Sequence, residues 1–113
     1  MEAIITANFV WLADPGHAWL KVPHDALSKL GLSPENFSPY SYLDGEAMYL
    51  EEDMDAPVFI WAAEDAGLEF GTTDKFYNVS APCRGKRPNA QGKLDFGAFK
   101  AAWRKREGMA PAG

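Results

Sequence analysis

The chain begins with an apolar stretch that is typical of a β-strand. Residues 3–12 carry mainly β-branched and aromatic side chains, which suit a pleated, half-buried surface. Asp14-Pro15-Gly16 follows with turn chemistry, and a second strand is predicted over residues 17–22. Because the connection is short, these two strands are predicted to form an antiparallel hairpin.

A second hairpin is predicted near the middle of the chain. Asp44-Gly45 is a strong two-residue turn signal, and it joins a strand over residues 40–43 to a partner strand over residues 46–50. Phe37 lies just before this hairpin, in a loop or single helical turn, and it is predicted to fill the core beneath.

Three helices are predicted from their start and stop signals, over residues 24–30, 55–66 and 95–106. The first follows Pro23 and stops at Gly31, and the second stops at Gly67. Asp53 or Asp55 is expected to cap the second helix, because a carboxylate accepts the amide N–H groups that a helix start leaves free.

The C-terminal third of the chain completes the predicted fold. Residues 68–79 are interpreted as a last strand, and residues 80–93, rich in Pro, Gly and basic side chains, as a linker. The final helix carries an apolar stripe of Phe96, Phe99 and Trp103 that requires a packing partner. The order β-β-α-β-β-α-β-α predicts a single α+β domain, a small antiparallel sheet of about five strands with helices on one face.

Charge is distributed unevenly along the chain. Residues 1–82 hold three basic and fourteen acidic side chains, a net charge of −11, whereas residues 83–113 hold eight basic and two acidic ones, a net charge of +6. Such charge asymmetry gives information about binding partners, or about docking of one part of the chain on the other, and not about the fold.

The single cysteine excludes an internal disulfide framework, and Glu2 stands where a signal peptide requires positive charge. We therefore expect a cytoplasmic protein without a membrane span.

The densest local feature is an acidic cluster with tyrosines beside it. Its carboxylates are Asp44, Glu46, Glu51, Glu52, Asp53 and Asp55. The spacing lacks the alternating acidic positions and glycine of an EF-hand loop, so no metal ion or other cofactor is predicted. One interpretation is a solvated strand end with a helix cap. The other is an anionic surface that binds a basic protein, with aromatic anchors at Tyr40, Tyr42 and Tyr49. Packing on the sheet is an equally good interpretation of the tyrosines.

Candidate catalytic groups are few. His17 and His24 are the only histidines, and either one acting as a base with nearby carboxylates defines the alternative of a small enzyme. Cys83 lies among cations that favour a thiolate, but the sequence places no base beside it. No catalytic residue is therefore predicted.

The basic C-terminal segment defines a further alternative, nucleic-acid binding. The side chains that would contact phosphates are Arg84, Lys86, Arg87, Arg104, Lys105 and Arg106. The acidic body would repel the same polyanion, so docking of this segment on its own domain or on a neighbouring subunit is favoured. The opposite charges of the two parts are also compatible with a homodimer.

Three segments of the sequence resemble a family of short uncharacterised acidic proteins of bacteria, phages and mobile elements. They are GHAWLKVP (16–23), SPYSYLDG (38–45) and YLEEDMDA (49–56), within a match over roughly residues 16–70. The resemblance implies no activity and no catalytic residues. It implies a context in which small acidic proteins occupy a host protein's surface, as anti-defence inhibitors of restriction or CRISPR systems do. The sequence thus predicts a non-enzymatic module that binds a basic host or partner protein.

Overall fold

The described part of the chain, residues 6–109 of a computed structural model, is α+β as predicted, with one mixed six-stranded sheet and three helices. Residues 1–5, which include the predicted strand residues 3–5, and residues 110–113 lie outside the described residues. The strands are β1 (Thr6–Ala13), β2 (Ala18–Pro23), β3 (Tyr42–Leu43), β4 (Ala47–Glu51), β5 (Glu69–Phe76) and β6 (Arg87–Pro88). The helices are α1 (His24–Lys29), α2 (Asp55–Asp65) and α3 (Phe96–Met109). None of these three helices has the length and apolarity that crossing a membrane requires.

Both predicted hairpins are confirmed. β1 and β2 pair antiparallel, with Trp11 opposite Leu20. β3 and β4 also pair antiparallel, and the turn between them is fixed by the side chain of Asp44. Its Oδ1 accepts the backbone N–H groups of Glu46 and Ala47 at 2.8 and 2.9 Å. A short carboxylate that bonds the amides just after it is a usual reason for aspartate at a turn.

The predicted antiparallel sheet of about five strands is wrong in two respects. The strand order is β5-β1-β2-β4-β3-β6, and β5 pairs parallel with β1 over the whole length of both strands. β4 runs in the same direction as β1. The chain then crosses over through α2, so β5 also runs in that direction. The sixth strand, β6, comes from the predicted linker and pairs Arg87 with Leu43.

One face of the sheet carries the main hydrophobic core. α1 and α2 cover it, and the side chains of Leu27 and Phe59 contact strand residues such as Leu20 and Leu50. Phe37 is fully buried in the same core, as predicted. Each large aliphatic or aromatic side chain that is buried here contributes about 1.5–3 kcal/mol to stability.

The opposite face of the sheet is covered by chain that follows β5 and not by a helix. Leu12, Trp19 and Tyr49 project from the strands and pack against Ala81 and Cys83. Both covering residues are buried, and a 3₁₀ turn, Pro82–Gly85, holds them in place. Residues 80–93, predicted as a linker, are therefore part of the packed fold.

The start of α2 differs from the prediction, because neither Asp53 nor Asp55 caps it. The Glu51 carboxylate accepts the N–H groups of Asp53 and Met54 instead, at 3.0 and 2.9 Å. Asp55 is fully buried and accepts three hydrogen bonds from the loop before β3. The donors are the Ser38 N–H, the Ser38 hydroxyl and the Ser41 hydroxyl. The side chain of Asp55 thus joins α2 to this loop.

The apolar stripe of α3 packs on the outer side of α2. The ring of Phe99 stacks on Trp61 with centroids 5.6 Å apart and planes 9° apart, and Trp103 lies 5.9 Å from the same ring. Arg106 closes this contact with ion pairs to Glu64 and Asp65. Burial of the stripe is partial, because Phe96 and Trp103 remain 65% and 46% exposed.

Asp55→Ala is expected to lower the free energy of unfolding by about 3 kcal/mol or more, because each buried group left without its acceptor costs about 1–3 kcal/mol. Asp53→Ala is the matched control, since Asp53 is exposed and a change at such a surface position usually stays within about 0.5 kcal/mol. Urea unfolding followed by tryptophan fluorescence measures both. Equal unfolding midpoints for the two variants would contradict the assigned role of Asp55.

Gly92→Ala is expected to destabilise the fold by about 1–3 kcal/mol through overpacking. A Cβ at Gly92 would lie 2.6 Å from the Ser38 carbonyl carbon and 2.7 Å from the Phe37 oxygen. Gly85→Ala is the control, because no atom lies within 4 Å of the corresponding Cβ position. Thermal unfolding compares the two variants, and a lower Tm for Gly85→Ala would be the opposite of the expected order.

Candidate functional site

A pocket of about 490 Å³ opens at the end of β4, between the sheet and the first turn of α3. We call it the aromatic pocket. Its ring-bearing walls are Trp19, Tyr40, Tyr42, Phe96 and Phe99. The other residues that line it are His17, Glu51, Asp53, Met54 and Arg84. The volume lies in the range of small-molecule and side-chain binding sites, and apolar walls with a few polar groups are their usual composition.

Arg84 is the cation of the pocket, and its charge is already neutralised. Its Nε lies 2.6 Å from Asp14 Oδ2, and its second nitrogen lies 3.1 Å from Oδ1. Asp14 also accepts the backbone N–H groups of Gly16, His17 and Ala81. The hydrogen bond from Arg84, with these amide bonds, holds the pKa of Asp14 well below its usual range. The guanidinium lies over the ring of Trp19, 4.7 Å from its centroid.

Glu51 is a fixed carboxylate at the pocket wall. Two backbone amides orient its oxygens, one bond to each oxygen. A carboxylate has about four acceptor positions, so two bonds leave capacity for a ligand. Burial raises the pKa of Glu51, the two amide bonds lower it, and the neighbouring charges of Asp53 and Asp55 raise it further. The net pKa is raised, and burial is the largest cause.

The aromatic pocket therefore carries unbalanced negative charge. No lysine or arginine among residues 6–109 makes an ion pair with Glu51 or Asp53. Asp53 is exposed, and Arg84 is committed to Asp14. A cationic group is the ligand chemistry that this arrangement favours.

Trp19 is the most buried of the aromatic walls of the pocket. It is 3% exposed, and its indole N–H, itself buried, has no acceptor among the described residues. A buried polar group in a native protein nearly always has a partner, so this N–H is an exception.

Four residues of the predicted binding surface meet in the aromatic pocket. They are Tyr40, Tyr42, Glu51 and Asp53. Tyr40 is 69% exposed, which suits a contact with a partner. Glu52, between the two acidic pocket residues, lines a different groove beside Trp11 and Phe76. β4 ends at Glu51, and the turn that follows directs Glu52 and Asp53 to different sides.

The other predicted residues lie elsewhere. Asp44 and Glu46 stand at the opposite end of β4, and five strand residues span roughly 17 Å. Both are ion-paired, Asp44 with Lys86 at 3.3 Å and Glu46 with Lys21 at 3.1 Å. Burial would raise the pKa of Asp44, but its several hydrogen bonds together lower it well below its usual range.

Tyr49 and Asp55 are withdrawn from the surface. Tyr49 is 5% exposed and donates its hydroxyl proton to Asp44 Oδ2 at 2.9 Å. Asp55 is fully buried on its serine partners. Tyr49 thus packs on the sheet, which is one of the two interpretations of the tyrosines. Neither Tyr49 nor Asp55 is available to a partner in this arrangement.

The two histidines have different environments. His24 Nε2 lies 2.7 Å from the backbone oxygen of Asp44, a contact between α1 and the second hairpin. His17 is exposed and lines the aromatic pocket with Glu51. If a histidine of this chain has a chemical role, the position of His17 favours it.

The basic segment docks on the acidic body of its own chain. Arg84, Lys86, Lys93 and Arg106 all form ion pairs with residues from the first 82 positions. The structure of the described residues thus agrees with the favoured docking interpretation. Three of the six proposed phosphate contacts already form ion pairs within the chain. Arg87, Arg104 and Lys105 are exposed and form no ion pair within residues 6–109.

The pocket could not be found from the sequence as one site. The sequence predicts Trp19, Phe96 and Phe99 only as strand or helix residues, and Arg84 as a phosphate contact. The register of β2 and β4 places Trp19 on the same sheet face as Tyr49 and Glu51, and that register is not encoded in either strand alone. No local sequence signal shows that α3 lies against this pocket.

Searches of the chain against protein-family models, curated proteins and solved structures found no match. Within residues 6–109 no group of three His, Cys, Asp or Glu side chains is placed to hold a metal ion. The chemistry of the aromatic pocket is therefore the basis for assigning a function.

Cys83 is expected to react slowly with alkylating reagents in the folded protein. It is fully buried, and burial raises its pKa to about 11, although Arg84 and Lys86 lower it in part. This value is more than two units above the roughly 8.5 of a free thiol, so the thiolate fraction at neutral pH falls by about 100-fold or more. Iodoacetamide labelling at pH 7.5, with and without urea, measures the difference, and equal rates would contradict the burial of this thiol.

Proposed function

We propose that this chain is a non-enzymatic binding protein that engages a basic protein partner through the surface around the aromatic pocket. The observation that carries the proposal is the meeting of two uncompensated carboxylates, Glu51 and Asp53, with the tyrosines Tyr40 and Tyr42 in one concave site. Anionic groups steer a basic partner toward a site, and aromatic side chains anchor it there.

The proposed surface is smaller than the acidic run in the sequence. Asp44, Glu46 and Asp55 take part in contacts within the chain, and their charges are used for folding. Glu51 accepts two backbone amides at the start of α2, but neither pocket carboxylate forms an ion pair in the described residues. Charge that no cation of the chain neutralises is the charge available for a partner.

A protein that binds nucleic acids is the class of partner we propose. Its binding groove carries a row of cations that neutralise phosphates, and an anionic pocket can compete for them. The resemblance to small proteins of phages and mobile elements supports the same class, because anti-defence inhibitors act on such host proteins.

His17 gives a second candidate function, a small enzyme that uses an imidazole and a carboxylate. The observation in its favour is that His17 and Glu51 line one pocket. General acid–base chemistry needs two such groups within reach of one substrate. Turnover of a bound ligand that is lost in His17→Gln, with the fold retained, would replace the binding function by this alternative.

Glu51→Gln with Asp53→Asn is expected to lower retention of the partner by about tenfold, the equivalent of about 1.4 kcal/mol. The measurement is affinity capture from a lysate of the source organism with immobilised protein at low and moderate salt. Asp25→Asn with Glu69→Gln is the matched control, because it removes the same charge at exposed positions outside the pocket.

Three results decide the proposal. A basic protein that is retained by wild type and by the control, but not by the pocket variant, supports it. Equal loss in both double variants would show that only net charge matters. Retention of no protein by the wild type would contradict the proposed function.

A further inference from the structure

The aromatic pocket has the composition of a site for a planar organic cation. We infer that it binds the guanidinium group of an arginine side chain that the partner presents. The inference rests on the proposed function, because it names the chemical group by which the basic partner is recognised. It adds a specific ligand to what is otherwise an acidic surface.

The chain itself contains an arginine that is held in this way. The Arg106 guanidinium lies over the ring of Trp61, 5.6 Å from its centroid. Its two terminal nitrogens bind neighbouring carboxylates, Glu64 at 2.7 Å and Asp65 at 3.1 Å. An aromatic face and two carboxylates from one short segment are thus sufficient to hold an arginine in this fold.

The aromatic pocket offers the same elements without an occupant from the described residues. Its two carboxylates, Glu51 and Asp53, are again close in sequence, and the rings of Tyr40 and Tyr42 stand beside them. The one arginine that lines the pocket, Arg84, forms its ion pair with Asp14 and lies over Trp19. A cation that pairs with Glu51 and Asp53 would come from outside the described residues.

The state of Glu51 supports an external cation. Two amide bonds hold its carboxylate in one orientation, and its remaining acceptor positions are unused in the described residues. The raised pKa of Glu51 reflects burial of its charge, and a cation in the pocket would relieve that penalty.

The guanidinium is presented by a polypeptide, because the proposed function is the binding of a protein.

Guanidinium is favoured over ammonium by its shape. It is planar and weakly hydrated, stacks on aromatic faces, and forms paired hydrogen bonds with carboxylates. A lysine ammonium is a compact, strongly hydrated charge that gains less from aromatic walls. The aromatic walls therefore predict discrimination between two peptides of equal charge.

NMR titration of the ¹⁵N-labelled protein with three blocked tripeptides tests the inference. The peptides have glycine at both ends and arginine, lysine or citrulline in the centre. We expect the arginine peptide to bind at least about fivefold more tightly than the lysine peptide, and citrulline, which lacks the charge, not to saturate. The indole N–H signal of Trp19, assigned with Trp19→Phe, is expected to shift.

Two pairs of variants separate binding in the pocket from attraction by the overall charge of the protein. Glu51→Gln is expected to weaken the arginine peptide by about tenfold, since it removes a charge-assisted hydrogen bond. Glu52→Gln is its control, because this adjacent glutamate lines another groove. Tyr40→Ala removes an exposed wall without touching the core, and Val79→Ala is the control at a residue that is 79% exposed.

The outcomes distinguish this inference from the proposed function. Equal affinity for arginine and lysine peptides, or equal effects of Glu51→Gln and Glu52→Gln, overturns the guanidinium site and leaves an acidic binding surface in place. Absence of any peptide binding, with a basic protein still captured from lysate, overturns the site alone. Absence of both overturns the site and the function together.

Discussion

The buried carboxylate of Asp14 is the interaction on which the second half of this structure depends. It lies in the turn after β1, and it binds Arg84 and the backbone N–H of Ala81, residues almost seventy positions later. These bonds place residues 80–88 over the sheet face that carries Trp19, and Ala81 and Cys83 fill the space beneath. Without them one face of the sheet would be exposed to water, and the aromatic pocket would lack its arginine.

The elements that were predicted correctly depend on neighbours in sequence. The hairpin at Asp44-Gly45 is specified by its own turn residues. α1 and α2 end just before Gly31 and Gly67, the predicted stop residues, which both have a φ of 74°. Glycine adopts this conformation without steric cost, so a local signal sufficed. Length and pattern likewise predicted α3.

The elements that were missed depend on contacts distant in sequence. A strand does not encode its neighbour, so nothing in residues 69–76 shows that β5 runs parallel to β1. The inward position of Asp55 depends on Ser38, seventeen residues before it. The acidic run therefore looked like one surface, although the structure divides it among a turn, a pocket, a groove and the core. A charge pattern in the sequence indicates that charged side chains interact, but it does not show on which side of the fold each side chain lies.

The position of α3 gives the pocket a property that a site on a single element would not have. Phe96 and Phe99 form part of its wall, while the same helix contacts α2 through Trp61 and the pair Glu64 and Asp65. Detachment of the helix would therefore also remove part of the wall of the aromatic pocket. Any ligand that needs the complete wall must shift the equilibrium toward the attached helix, by a free energy of RT ln(1 + [L]/Kd). Occupancy of the pocket and order of the C-terminal helix are thus thermodynamically linked across the molecule.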